Sequence, residues 1–323
     1  MKMNVLIEKQ DLFFFRPVFQ ERIWGGTQLK KNFNYEIPND KIGECWAISA
    51  HENGPSVVAN GECKGLTLSE LWTQQRHLFG NLEGEKFPLL TKILDAKDDL
   101  SVQVHPNDTY AQINENGELG KTECWYVLDC EEDAELVLGH NAQSKAEFLS
   151  TVEENKWDEV LRRVKIKPGD FFYIPSGTVH AICKSTLILE TQQNSDTTYR
   201  LYDYDRRDDN GNLRELHIEK SMDVIIFPHV DANPVRNEYQ QEGTLITEFI
   251  NNEFFSVERW KVTATTNLSN NNPFILASVV EGAGSISINE ETHSLIKGSH
   301  FLIPFYVKEF TIDGKMVIIA SHV

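Results

Sequence analysis

Short runs of β-forming residues separated by turn residues recur along most of the chain, and this pattern restricts the fold more than any other feature of the sequence. Clear examples are the segments 100–104, 170–174 and 274–280, each of which adjoins Gly, Pro or Asp residues. Regular short strands with turn signals are typical of β-barrels and β-sandwiches. The sequence therefore predicts a mainly β protein.

Three stretches interrupt this pattern with the spacing of helices: 67–78, 107–114 and 145–164. The first begins Thr-Leu-Ser-Glu, which is a capping-box sequence for a helix N-terminus. In the third, apolar residues recur every three or four positions, and such a stripe packs against a core. The β structure is therefore expected to carry a small helical portion.

A weak internal repeat predicts two related β-barrels. Residues 167–175 and 297–304 each contain a glycine that is followed six residues later by a proline. The common unit is a turn, a strand and a second turn, and its repetition suggests two copies of one architecture. The second copy has no histidine at the place that corresponds to His180, so its barrel is expected to bind no metal.

The boundary between the two predicted barrels falls in the polar segment 231–243, which contains Asn-Pro and Gly turn signals. We expect a first domain at 1–235 that carries the helical additions and the metal-binding residues. A smaller C-terminal β domain is expected at 236–323.

The net charge of the chain limits the kinds of ligand that it can bind. Among 323 residues, 31 Lys and Arg stand against 49 Asp and Glu, which gives a formal net charge of −18. Such a surface repels nucleic acid and anionic membranes. An anionic substrate would consequently need a local cluster of cationic side chains.

The lengths of the apolar runs and the pattern of cysteines predict the cellular compartment of the protein. No apolar run approaches the roughly eighteen residues of a membrane span, and the first residues lack the apolar core of a signal peptide. The five cysteines include no C-x-x-C pair. An odd number of separated cysteines is typical of a reduced protein, so a cytoplasmic location is expected.

Four side chains in three separate segments form a candidate metal-binding set. Gln103 and His105 are two residues apart in a strand-like run, so both emerge on one face of it. Glu123 lies in the next strand-like run, and His180 follows a Pro-Ser-Gly turn that can direct its imidazole inward. One amide, two imidazoles and one carboxylate suit a zinc-like divalent ion, and so few donors leave a position for water or substrate. Spacing alone leaves open that these side chains are structural.

The remaining eight histidines are interpreted as structural or surface residues, because a lone histidine usually has no ligand role. Unlike His105 and His180, they do not stand beside other candidate ligands in a Pro-flanked β segment. They are His51, His77, His140, His217, His229, His293, His300 and His322.

Three cationic side chains are candidates for the cluster that an anionic substrate needs. Lys92 lies in an apolar run, where a lysine is costly unless it is paired. Lys121 precedes Glu123 by two residues and so shares its face of a strand. Arg200 lies in the segment 198–206, where the side chains of residues 200, 202, 204 and 206 would share one face if the segment is extended. A buried ion pair is an alternative role for each of them.

Longer motifs surround these residues. They are Ile-Gly-Glu-Cys-Trp-Ala-Ile-Ser (42–49), Lys-Ile-Leu-Asp-Ala (92–96), Leu-Ser-Val-Gln-Val-His-Pro-Asn-Asp (100–108), Lys-Thr-Glu-Cys-Trp-Tyr-Val (121–127), Pro-Ser-Gly-Thr-Val-His (175–180) and Gln-Gln-Asn-Ser-Asp-Thr-Thr-Tyr-Arg (192–200). With these motifs in this order, the chain resembles type I mannose-6-phosphate isomerases in their short bacterial form. The resemblance extends from the Trp-Gly-Gly at 24–26 to the C-terminus.

This resemblance implies a mainly β, cupin-type fold with two β-barrels, the second degenerate and metal-free, and one Zn²⁺ per chain. It implies that the ion is bound by Gln103, His105, Glu123 and His180. It further implies that Arg200 and Lys121 are catalytic and that Lys92 and Arg200 contact the substrate. Long members of the family carry a larger helical insertion, and residues 145–164 are expected to be its reduced counterpart.

The activity that the resemblance implies is the interconversion of mannose 6-phosphate and fructose 6-phosphate, by proton transfer through an enediol intermediate. The expected partner is a small phosphosugar, with no nucleic acid and no membrane. The oligomeric state is left open between monomer and homodimer. The sequence identifies neither the general base nor the phosphate contacts.

Two other classes of function are alternatives. A non-catalytic cupin could bind a sugar or regulate transcription, but the metal-binding set and Arg200 would then have no role. A metal oxygenase on the same fold would favour a redox metal in a His-rich site. A coupled assay for fructose 6-phosphate tests the first alternative, and oxygen consumption by an iron-loaded sample tests the second.

Overall fold

The computed structural model describes residues 12–208 and 210–323. Within these ranges the chain forms 21 strands and six helices, and the strands are arranged in three β-sheets. The mainly β prediction is confirmed. None of the helices in these ranges is long and apolar enough to cross a membrane.

The strands in chain order are β1 (Phe13–Arg16), β2 (Val18–Gly26), β3 (Ile42–Ile48), β4 (Val57–Val58), β5 (Leu89–Ala96), β6 (Val102–Val104), β7 (Glu123–Cys130), β8 (Glu135–His140), β9 (Leu161–Lys165), β10 (Phe171–Ile174), β11 (His180–Ile182), β12 (Thr186–Gln193), β13 (Tyr199–Tyr202), β14 (Asn237–Gln241), β15 (Thr244–Asn251), β16 (Ser256–Val262), β17 (Thr266–Ser269), β18 (Phe274–Ile288), β19 (Glu291–Ile296), β20 (His300–Pro304) and β21 (Glu309–His322). The helices are α1 (Gln28–Phe33), α2 (Leu68–Gln74), α3 (Asp108–Asn114), α4 (Lys145–Glu153), α5 (Trp157–Val160) and α6 (Ile218–Val224), and a 3-10 turn covers Arg76–Phe79.

Two antiparallel sheets face each other in the first two thirds of the chain. One has the order β10-β7-β12-β5-β3-β2 and the other the order β13-β6-β11-β8-β9. Trp125 and Ile188 from the first sheet share a buried cluster with Leu136 and Ile182 from the second. Within residues 12–208 and 210–323 both sheets are open at their edges, so the predicted barrel is a pair of facing sheets and not a closed ring of hydrogen-bonded strands.

The third sheet has ten strands and contains most of the C-terminal part of the chain. Its main path is β14-β15-β16-β21-β18-β20-β1-β4, with β17 beside β21 and β19 beside β18. Strand β1 pairs with β20, with Phe13 opposite Leu302. The domain boundary after residue 235 stays a prediction, and β1 and β4 lie on the other side of it from the rest of their sheet.

The internal repeat corresponds to one strand in each half of the molecule. Its first copy contains β10 in the six-stranded sheet, and its second contains β20 in the ten-stranded sheet. Gly169 and Gly298 precede these strands with φ angles of 89° and 91°. Residues with a side chain rarely adopt such angles, so each glycine permits the tight turn that leads into its strand. The turn and strand predicted for both copies are confirmed.

Two of the three predicted helical stretches are confirmed, and the third is shorter than expected. Helix α2 begins after Thr67, whose side chain accepts a hydrogen bond from the Glu70 N–H while Glu70 accepts one from the Thr67 N–H. Helix α3 begins after Asn107, whose side chain caps its first turn. The stretch 145–164 forms α4 and α5 but then enters β9. Asn155 lies between the two helices with φ at 58°, and this left-handed conformation interrupts the helical path.

An aromatic cluster joins the region of α2 to the ten-stranded sheet. The ring centroid of Phe274, at the start of β18, lies 5.8 Å from that of Phe79 and 5.3 Å from that of Phe87. Trp72 packs edge-on against both of the earlier rings. All four side chains are buried. Their burial stabilises the contact between the N-terminal and C-terminal parts of the chain.

Replacing Phe274 with Ala is expected to lower the free energy of unfolding by about 3–5 kcal/mol, because a ring and its contacts are lost from a closed core. Urea denaturation measures the change. Ile113 is 76% exposed and provides the control, since Ile113→Ala should change the free energy by less than about 0.5 kcal/mol. A Phe274→Ala chain as stable as the parent would show that the cluster does not join the two parts.

Candidate metal centre and cleft

His105, Glu123 and His180 meet at a buried point between the two facing sheets. One potential ligand atom from each lies within 4.8 Å of the others. The Nε2 atoms of the two histidines are 3.2 Å apart, and each lies 3.4 Å from an oxygen of Glu123. The side-chain amide of Gln103 lies 3.3 Å from His180 Nε2. The structure thus brings all four predicted ligands together.

Strand pairing accounts for this convergence. Gln103 on β6 lies directly opposite His180 on β11. His105 follows Gln103 by two residues and therefore emerges on the same side. Glu123 is the first residue of β7, which belongs to the facing sheet. A shift of one residue in the β6–β11 register would turn one of the paired side chains to the opposite face, so the register determines the site.

The two imidazoles present their Nε2 atoms to the common point because the backbone holds their other nitrogens. His105 Nδ1 donates to the Thr197 carbonyl at 2.9 Å, and His180 Nδ1 donates to the Thr178 carbonyl at 2.8 Å. Burial lowers the pKa of His105 to about 3 and also lowers the pKa of His180, so both rings are neutral. A neutral ring that donates through Nδ1 has a lone pair on Nε2, the tautomer that binds a metal through that atom.

Glu123 supplies a negative charge at the same point. It is fully buried, and neither of its oxygens has a hydrogen-bond partner among the described residues. Burial alone would raise its pKa, but the ammonium group of Lys121 holds the pKa below its usual range. Two lone pairs and a carboxylate directed at one point repel each other unless a cation lies between them. These residues therefore fit a divalent metal ion with nitrogen and oxygen ligands.

A cleft of about 390 Å³ opens beside this group, and Gln103 forms part of its wall. Five cationic side chains and three carboxylates line it: Arg22, Lys92, Lys121, Arg200 and Arg214, with Glu44, Glu190 and Asp196. In a chain of net charge −18, this cleft is a local cationic region of the kind that an anionic ligand needs. The three predicted cations are all present, and sequence reasoning missed Arg22 and Arg214.

A row of four side chains crosses the six-stranded sheet, and its two central members, Lys92 and Glu190, line the cleft. The strand register places Trp46, Lys92, Glu190 and Trp125 opposite one another on β3, β5, β12 and β7. Lys92 Nζ lies 4.9 Å from the Trp46 ring centroid and 3.8 Å from Glu190 Oε1. The Trp125 indole donates to Glu190 Oε2 at 3.0 Å. The Lys92 residue is only 3% exposed, and these contacts compensate for the burial of its ammonium group.

The pKa values of two carboxyl groups beside Lys92 are shifted in opposite directions. Glu44 Oε2 lies 3.9 Å from Lys92 Nζ, and Glu44 also accepts from Arg22. Burial opposes the ionisation of Glu44, but Lys92 and Arg22 lower its pKa to about 2. Burial and the charge of Glu123 raise the pKa of Glu190. Sequence reasoning missed both acids, although the alternation of their strands places them on one face.

The two predicted catalytic cations border the cleft from different elements. Lys121 Nζ lies 3.4 Å from Glu123 Oε2, and nearby carboxylates raise the pKa of Lys121 although burial acts in the opposite direction. Arg200 lies on β13 opposite Gln103. Its Nη1 donates to the Glu215 carbonyl at 2.8 Å, and its Nε–H has no partner within the described ranges. Lys121 is therefore held as a cation, and Arg200 keeps a donor that no described protein group uses.

The fold and the site define a cupin-type protein with a candidate divalent-metal centre beside a cationic cleft. Two family models give a more specific assignment. The model for the catalytic domain of phosphomannose isomerase type I matches residues 12–128. The model for the cupin domain of mannose-6-phosphate isomerase matches residues 245–323.

Individual proteins agree with these matches. Mannose-6-phosphate isomerase ManA of Bacillus subtilis is 58% identical, over 96% of this chain and 98% of the relative. The mannose-6-phosphate isomerase of Streptococcus mutans is 48% identical, over 96% and 97%. A crystal structure of the mannose 6-phosphate isomerase from Bacillus subtilis has a TM-score of 0.96 at 51% identity and covers 97% of this chain and 100% of that one. The chain belongs to the type I mannose-6-phosphate isomerase family and is an enzyme of that family, and its cupin-type fold is confirmed.

If His105, Glu123 and His180 form a metal site, replacing Glu123 with Gln should weaken the binding of added zinc by at least about 100-fold, because changing a group that only hydrogen-bonds to a metal ligand already costs 10–100-fold. Competition with a chromophoric chelator measures the affinity, and metal analysis after dialysis gives the stoichiometry. Asp196→Asn is the control, since Asp196 lines the cleft but lies outside the His–Glu–His group. Equal zinc affinity in the Glu123→Gln and parent chains would exclude Glu123 as a ligand.

Proposed function

We propose that the chain is a zinc-dependent aldose–ketose isomerase that interconverts mannose 6-phosphate and fructose 6-phosphate by proton transfer through an enediol intermediate. The observation that carries the proposal is the position of the buried His–Glu–His group beside a cleft with five cationic side chains. The first can hold a metal, and the second can hold a phosphorylated sugar. Membership in a family whose relatives are named mannose-6-phosphate isomerases supports the same activity.

The metal ligands in this proposal are Gln103, His105, Glu123 and His180, with one Zn²⁺ per chain. Such an ion acts as a Lewis acid and stabilises negative charge that develops on substrate oxygen by several kcal/mol. Gln103 is neutral, so Glu123 contributes the only formal negative charge among the ligands. The carbonyls of Thr197 and Thr178 keep the two imidazoles oriented.

The cations of the cleft bind the substrate and stabilise the charge that forms during the reaction. Lys92 is fixed between Glu44 and Glu190, and it contacts the sugar in this proposal. Arg200 remains charged throughout the working pH range, so it can contact the substrate and stabilise an enediolate oxygen. Lys121 is held protonated beside Glu123, so it serves as an electrostatic and hydrogen-bonding group and not as a base.

The proton that moves between neighbouring carbons requires a general base. Glu190 is the group in the cleft that best fits this role. It lies along the cleft wall, and burial together with the charge of Glu123 raises its pKa toward the range in which a carboxyl can both accept and return a proton. Lys92, 3.8 Å from Glu190 Oε1, would compensate the charge of Glu190 when it is ionised.

The compartment belongs to the same proposal. All five cysteines are free, and Cys45, Cys63, Cys124 and Cys183 are buried. A protein without disulfides is typical of a reducing environment. This supports a cytoplasmic enzyme.

Removal of the metal should abolish the interconversion. The purified chain is dialysed against a chelator, checked for residual metal, and assayed for fructose 6-phosphate formation by a coupled assay. Activity should return when one equivalent of zinc is added, because the ion restores the stabilisation of developing oxygen charge. Full activity in a verified metal-free sample would contradict the zinc-dependent mechanism.

Arg200→Ala should lower kcat by about 10²–10³-fold, as the loss of one charge-stabilising donor does in other enzymes. Bound zinc should stay near one per chain, because Arg200 is not among the proposed ligands. Arg162→Ala is the matched control, since Arg162 pairs with Asp231 outside the cleft and its loss should leave kcat within about twofold. Unchanged turnover in Arg200→Ala would show that its catalytic role is wrong.

A further inference from the structure

Arg200 is held by a segment that returns to it from later in the chain. The Arg200 N–H donates to His217 Nδ1 at 3.1 Å, and the His217 N–H donates to the Arg200 carbonyl at 2.7 Å. The carbonyl of Glu215 accepts from Arg200 Nη1 at 2.8 Å. The segment 215–217 therefore contacts the backbone of Arg200 on both sides and its guanidinium group as well.

The His217 imidazole acts as a hydrogen-bond acceptor in this arrangement. A backbone N–H can only donate, so His217 Nδ1 must carry a lone pair and the proton of the neutral ring must be on Nε2. Burial and the charge of Arg200 lower the pKa of His217, which favours this neutral form. Neither His217 nor Glu215 lines the cleft. Their effect on a bound sugar must therefore act through Arg200.

Neighbouring helices fix the position of His217. His217 immediately precedes α6, whose Lys220 forms an ion pair of 2.6 Å with Glu115 at the end of α3. The Tyr199 hydroxyl, next to Arg200, donates to the same carboxylate at 2.7 Å. The Glu115 carboxylate thus links α3 both to α6 and to the strand that carries Arg200. The imidazole of His217 contacts the Arg200 backbone directly.

We propose that His217 is a positioning residue for Arg200: its Nδ1 acceptor and its backbone N–H fix the orientation in which the guanidinium group faces the cleft. The inference rests on the proposed function, because it takes Arg200 to be the group that acts on the phosphosugar. A positioning error of about 1 Å can reduce turnover by about 100-fold. Loss of the Nδ1 acceptor is therefore expected to lower kcat strongly, although it removes only one hydrogen bond.

The sharpest test compares two amides of similar polarity. The Oδ1 of Asn can occupy the place of His Nδ1, whereas the Oε1 of Gln reaches the place of Nε2. His217→Asn should keep kcat within about threefold of the parent, while His217→Gln should lower it by about 10–100-fold. Zinc content should stay near one per chain in both. Glu219→Ala, at an exposed position in the first turn of the same helix, is the control and should keep kcat within about threefold.

A double variant separates positioning from a general effect on folding. If His217 acts through Arg200, then His217→Gln should cause no further loss of kcat in an Arg200→Ala chain. Equal kcat in the Asn and Gln variants, or a full additional loss in the double variant, would overturn the proposal.

Hydrogen exchange of the Arg200 backbone amide distinguishes a failure of the positioning contact from a failure of the proposed function. The amide should be protected in the parent and in His217→Asn and should exchange faster in His217→Gln. That pattern in a chain without isomerase activity would refute the proposed function and leave the positioning contact standing. Equal protection in all three chains would refute the positioning contact whatever the activity.

Discussion

The charge of Glu123 at the meeting point of two neutral imidazoles is the interaction on which the rest of the site depends. A buried carboxylate without hydrogen bonds is costly, and here the facing side chains offer lone pairs. Lys121 keeps the acid ionised from one side, and a divalent ion would satisfy the remaining ligands together. The same carboxylate also raises the pKa of Glu190, so the proposed metal binding at Glu123 and the proposed proton transfer at Glu190 would be electrostatically linked.

A protein with a negative net charge can bind an anionic substrate only if its cationic side chains are concentrated at the binding site. The net charge of −18 belongs to the whole chain, whereas the cleft collects cations from β2, β5 and β13 and from the segments before β7 and α6. Cross-strand pairing makes this sorting stable. Lys92 is tolerated in the sheet because Trp46 and Glu190 lie in register with it on the neighbouring strands.

The sequence was informative where the relevant pattern is local. A spacing of two residues predicted the common face of Gln103 and His105, and the turn before His180 predicted an inward ring. The apolar run around Lys92 and the alternation around Arg200 made both residues candidates, and the motifs of the family supplied their roles. Glu44 and Glu190 were missed because their roles depend on which strands are neighbours and in which register. Arg214 was missed because a later segment of the chain folds back to the cleft. No short sequence pattern encodes either relationship. His217 was interpreted as structural for the same reason, since its partner Arg200 lies 17 residues earlier. The stretch 145–164 was predicted as one helical unit because apolar spacing does not reveal the left-handed turn at Asn155.

The pairing of β1 with β20 has a consequence for how the molecule is made. A ribosome produces β1 long before it reaches β20, so the ten-stranded sheet cannot be completed until the chain has been synthesised past residue 304. Until then one edge of β1 has no native neighbour. A truncated product that stops before residue 300 would leave this edge open to pairing with other chains, and such products should be prone to aggregation.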